Sequence, residues 1–154
     1  MKKFFECIFI VLLVIGPYKA YSIQEPAKSK IQNQIIGQWL YIGYTYQDEF
    51  HSPIDDSLEL IFSFESNGSD DLIWRYKDSM GKCHRRGEYI IENSILIDKI
   101  VWVDPDNMNA CGSDPDMQIG RITMTPVEIV GDRLLMKLEL SGEPFVYTLQ
   151  RLKR

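Results

Sequence analysis

Val127-Glu-Ile-Val-Gly-Asp-Arg-Leu-Leu-Met-Lys-Leu-Glu-Leu-Ser-Gly-Glu-Pro-Phe-Val-Tyr-Thr-Leu149 decides the fold. Apolar residues recur at every second position on either side of two glycine-containing breaks. That period belongs to strands with one buried face, not to a helix. Gly131-Asp132 serves as a two-residue turn that pairs Ile129 with Leu134 and Val127 with Met136. Gly142-Glu143 is expected to centre a second turn, pairing Leu140 with Phe145, Leu138 with Tyr147 and Met136 with Leu149. All these pairs lie on one side, as a buried inner face requires.

The same pattern extends back along the chain. Strands are predicted at about 36–46, 57–65, 71–77, 83–92, 95–103, 118–129, 133–141 and 144–152. Ser66-Asn-Gly-Ser69 turns the second into the third, with Phe64 expected opposite Leu72, Phe62 opposite Trp74 and Leu60 opposite Tyr76. Asn93-Ser94 turns the fourth into the fifth, which places Cys83 opposite Asp104 and Arg85 opposite Trp102. Pro126 lacks a ladder donor, so a bulge or kink is expected there. Successive hairpins make a meander, and one of this length with one apolar face can close on itself. The expected class is all-β, an eight-stranded antiparallel up-and-down barrel, with a two-sheet sandwich as the alternative.

The first residues, MKKFFECIFIVLLVIGPYKAYS, read as a secretory signal peptide over 1–22: two lysines, a short apolar run, then Ala20-Tyr21-Ser22. The run is shorter than a bilayer-spanning helix needs. Residues 23–35 read as a polar, loose segment with room for one helical turn, and 36–154 as one barrel domain. Losing Lys2, Lys3, Lys19 and Glu6 with the signal takes 17 basic and 22 acidic side chains to 14 and 21, a net charge of −7. An acidic chain without a basic run argues against nucleic acid and anionic membranes as partners. The expected location is the periplasm or the medium, and the expected state a monomer.

Cys83 and Cys111 remain after cleavage, and a pair in an exported chain is expected to form a disulfide. It would tie the acidic stretch Asp104–Met117 to the rim of the fourth strand. Asp104, Asp106, Asp114 and Asp116 also offer oxygen ligands of the kind calcium takes. Their spacing departs from the EF-hand pattern, and Asp-Pro and Asn are ordinary turn formers. Apart from that possible calcium site, no cofactor is expected. His51 and His84 map to the rim, but no nucleophile-elbow or phosphate-cradling pattern accompanies them, so no enzyme is expected.

Ile36-Gly-Gln-Trp39 opens the first strand, and Tyr147-Thr-Leu-Gln-Arg151 closes the last. In a closed meander these ends lie side by side. A Gly-x-Trp opening with a closing basic residue resembles the lipocalin and wider calycin barrels. There the base packs across the Trp ring, a contact worth about 0.5–2 kcal/mol. The resemblance gives Gly37, Trp39 and Arg151 a structural role at the barrel's lower end. The Thr-Asp-Tyr-type motif between the sixth and seventh strands is replaced by Val130-Gly-Asp-Arg133, so the chain reads as a divergent lipocalin-like protein. The resemblance implies a small hydrophobic or amphipathic ligand at the loop-rich end. Phe62, Trp74, Tyr76, Tyr89 and Trp102 are candidates to line the cavity, or else a filled core. Arg85, if it points inward, would meet a ligand carboxylate. The rival reading is a protein-binding barrel, such as the small exported inhibitors of metalloproteases that insert an N-terminal segment into the enzyme. A packed interior would favour it; an open apolar cavity would favour the binder.

Overall fold

The computed structural model describes residues 30–78, 81–140 and 142–153. The expected signal peptide and residues 23–29 lie outside them. A short helix, α1 (Lys30–Gln34), leads into β1 (Gly37–Tyr46) and a small added strand, β2 (Glu49–His51). Then follow β3 (Leu58–Phe64), β4 (Ser69–Tyr76), β5 (Cys83–Glu92) and β6 (Ile95–Val103). Two 3-10 turns, Asn109–Ser113 and Pro115–Met117, precede β7 (Ile122–Val130), β8 (Arg133–Leu140) and β9 (Glu143–Arg151). Neighbours pair antiparallel in chain order, and β1 pairs with β9, so eight strands close a barrel with β2 appended to the upper part of β1.

The Gly131-Asp132 hairpin has the expected register, with Ile129 opposite Leu134 and Val127 opposite Met136. Two other hairpins are shifted by two residues. Phe64 faces Asp70 and Phe62 faces Leu72, because the turn closes at Glu65 and Ser69, where the Glu65 amide donates to the Ser69 carbonyl at 2.8 Å. Asn67 Oδ1 accepts from the Ser69 amide and hydroxyl, which tightens that turn. Likewise Leu140 faces Glu143 and Leu138 faces Phe145, since β9 starts one residue earlier than expected. A shift of two keeps every side chain on its face, so the inner face survives both corrections.

Two features were not foreseen. A register shift between Arg86 and Gly87 puts Arg85 opposite Val103, not Trp102. Above it β6 changes phase, and Trp102 turns outward. In β1 the register shifts between Tyr41 and Gly43. Gly43 has φ +149°, and a Cβ there would lie 2.2 Å from the His51 carbonyl and 2.7 Å from the Phe50 ring, so only glycine lets β2 fold across it.

No register shift occurs at Pro126. The strand instead changes partner there: β7 pairs with β6 over Ile122–Pro126 and with β8 over Val127–Val130. The missing donor falls where the β7–β8 ladder ends. Above Val127, β7 and β8 part.

The segment expected to be loose folds at its described end. Ile35 is fully buried, and Ile31 packs against the core from α1. The Trp39 indole donates to the Ile35 carbonyl at 2.6 Å. Arg151 lies opposite Trp39 with its guanidinium carbon 4.0 Å from the ring centroid, and it donates to the carbonyls of Gln34 and Ile36. Gly37, at φ +125°, leaves room for that guanidinium. The lower end is thus a plug of Ile35, Trp39, Phe64, Leu134 and Leu149, each nearly without exposure.

Candidate ligand cavity

Three layers stack inside the barrel. Above the apolar plug lies an ionic layer built from inward positions of β4, β5 and β6. Arg85 donates to Asp70 at 2.9 Å and to Asp98 at 2.5 Å, and all three are buried. Gly87 makes the space, since a Cβ there would come within 2.3 Å of Asp70 Oδ1 and of Asp98 Oδ1. Those two oxygens lie together and are paired when Asp70 carries a proton, whereas Arg85 Nε has no hydrogen-bond partner. Burial, with Asp98 beside it, pushes Asp70 up to about 7, against the pull of Arg85. The third layer is open. It holds inward residues of the upper strands and divides into three recesses of about 570, 250 and 500 Å³ that share Tyr147 as a wall. The first lies against β1 and β9 and includes Tyr41, Tyr44 and Phe145. The second is central, between Trp74, Tyr76 and the acidic loop. The third opens where β7 and β8 part, between Thr123 or Thr125 and Leu138, and reaches Asp98 and Arg85. Burial pushes the Tyr41 phenol up to about 12, and neighbouring Tyr147 and Tyr44 add to it.

The acidic loop roofs this layer. Cys83 and Cys111 are joined by a disulfide with Cα atoms 5.7 Å apart. Met117 is buried against it, with Trp74 and Met108 packed alongside. Asn107 continues the β5 ladder with a side chain, accepting from the His84 amide at 2.7 Å and donating to its carbonyl at 3.0 Å. Asp104 accepts from the Asp106 amide, and Asp114 from the Asp116 amide, both as local turn caps. The Asp106 amide, followed by Lys82 and His84, holds Asp104 below the usual carboxylate range. Among the described residues no three metal-ligating side chains converge. Asp114 and Asp116 instead line the central recess. Partial burial, then the charge of Asp114, pushes Asp116 up. Tyr147 is also raised, by burial first and then by Asp116 and Asp114.

Of the residues singled out from the sequence, Phe62, Trp74 and Tyr76 line the central recess. Arg85 points inward but meets two carboxylates of its own chain. Tyr89 sits lower than expected, packed edge-on against Phe64 with its hydroxyl donating to the Glu65 carbonyl at 2.9 Å. Trp102 is on the outer wall, edge-on to His84 and under Arg86. His51 stacks on Tyr44, whereas His84 lies on the outer wall 2.8 Å from Asp71. Asp70, Asp98 and Tyr147 were not named as site residues. The signal for the two aspartates was their phase: each shares strand parity with apolar neighbours, Asp70 with Leu72 and Trp74, Asp98 with Leu96 and Ile100.

Among solved structures the chain is similar to a lipocalin-like protein from Bacteroides uniformis ATCC 8492, with a TM-score of 0.53 and 20% identity over 76% of this chain and 97% of that one. The fold is lipocalin-like. No protein-family model matches the chain, and no curated protein sequence matches it. The likeness concerns the barrel alone. No helix among the described residues is long and apolar enough to cross a membrane.

Proposed function

We propose that this lipocalin-like barrel is an exported, non-enzymatic binder of a small amphipathic molecule, held in the upper layer around Tyr147. The observation that carries the reading is the asymmetry of the interior: a close-packed plug below, and an aromatic-lined space of several hundred Å³ above. Small-molecule sites are concave, mainly apolar and supplied with a few polar groups, and this layer has that composition. The disulfide suits an oxidising compartment. The inhibitor reading asked for a packed interior and a free N-terminal segment. Here the upper interior is open, and most of the segment that the inhibitor reading needs, residues 23–33, lies outside the described residues.

Leu60 lies on a wall shared by two of the recesses. The test is titration with the neutral dye Nile red, following dye emission. Saturable binding is expected in the native protein, weakened at least about tenfold in Leu60→Trp, which fills the space with an indole (about 1.4 kcal/mol per tenfold). Absence of saturable binding, or equal binding by both proteins, would sink the reading.

A further inference from the structure

The upper layer is aromatic and acidic at once, and its charges do not balance. Asp114 and Asp116 reach the central recess from the roof, facing Trp74, Tyr76 and Tyr147. Below the third recess, Asp98 is only 5% exposed and lines the same space, with one oxygen turned to Arg85 and the other to Asp70. Two basic side chains line these walls. Arg85 is occupied by Asp70 and Asp98, so it presents at most its Nε to a guest. Arg121 stands 3.7 Å from Asp116, with the two side chains 40% and 53% exposed, a pair largely screened by solvent until a guest covers it.

Resting on the reading of this layer as a binding site, we propose that the ligand is a cationic amphiphile: an ammonium or guanidinium head on an apolar body. The head sits against Asp116 and Asp114, over the faces of Trp74, Tyr76 and Tyr147. The body occupies the recesses beside β1, β9 and the parted β7 and β8. Three physical terms favour that charge over its alternatives. Aromatic faces attract a desolvated cation through their quadrupoles. Two adjacent carboxylates on the roof lower their mutual repulsion when a cation lies between them. An anionic head would meet those carboxylates and an electron-rich wall, and the one buried guanidinium is already held between Asp70 and Asp98.

The test is calorimetric titration of the native protein with decylamine, decanol and decanoate, each below its micelle-forming concentration, at near-neutral pH. Decylamine is expected to bind at least about tenfold tighter than decanol, and decanoate more weakly than either. Asp116 makes no bond to the core beyond its backbone cap, so Asp116→Asn is expected to fold normally. It should reduce the preference for decylamine over decanol several-fold. Equal affinities, or a preference for decanoate, overturn the cationic assignment and leave the binding barrel standing. An unchanged preference in Asp116→Asn overturns the placement of the head. Failure of all three probes to bind removes the binding reading itself, and this proposal with it.

Discussion

Asp70 and Asp98 share one guanidinium inside the barrel, so two negative charges are set against one positive. With its value near 7, Asp70 holds a proton that an unfolded aspartate releases near 3.9. A group raised on folding contributes fully below its unfolded value, and the contribution is lost as pH climbs through the folded value. Thermal stability is therefore expected to fall between about pH 4 and about pH 7 from this source, then to level off. Asp70→Asn mimics the protonated form: its amide can donate to Asp98 while its oxygen accepts from Arg85. It should flatten the fall and raise the melting temperature above the native value at about pH 8. Scanning calorimetry across that range checks both points, and an Asp70→Asn protein less stable than native at the alkaline end contradicts the account. At the base, Arg151→Met removes two carbonyl bonds and the contact over Trp39. A loss of about 1–3 kcal/mol is expected in a urea titration.

Among the elements, the loop between β6 and β7 depends most on a single covalent link. The disulfide spans 28 residues, and the chain-entropy model gives such a closure about 3–4 kcal/mol. Replacing both cysteines by alanine should cost about that much in a denaturant titration. Hydrogen exchange should quicken first at the His84, Asp104 and Met108 amides, whose acceptors join the loop to β5. Calcium is expected to leave the melting temperature unchanged, because Asp104 and Asp114 already serve as turn caps. A rise of several degrees at millimolar calcium would show that the loop reorganises around the ion. Reading elements from sequence worked where a turn's residues dictate its length. Gly131-Asp132 admits one register, and that is the register found. At Gly68 and Gly142 the glycine marks the turn without fixing which residues flank it, hence the shifts of two. The shift at Arg86 escaped notice although Gly87, isolated in a strand, is the kind of residue that accompanies one. That omission misplaced Trp102. Phe62, Trp74 and Tyr76 do face the upper space, because face and aromatic character suffice to place them there. The ionic layer was not, because pairing Asp70, Arg85 and Asp98 needs three strands in correct register at once.

At the scale of the whole molecule, one end is sealed by α1, Trp39 and Arg151, and all the long connections gather at the other. The closed end gives the barrel its stable foundation, and the upper layer is free to carry residues that a packed core would reject. The seam that begins at Pro126 adds a consequence for what such a barrel selects. A sealed cup measures its guest, because a tail longer than the chamber has nowhere to go. Here the proposed guest's tail would thread between β7 and β8, which pair no further than Val127 and Met136, and trail into solvent. Lengthening an alkylamine one methylene at a time should therefore first strengthen binding, by at most about 0.8 kcal/mol per methylene, and then plateau. A sharp loss of affinity beyond a certain length would mean the seam stays shut. For the proposed guest, such a side door would mean that the head is inspected and the length is not.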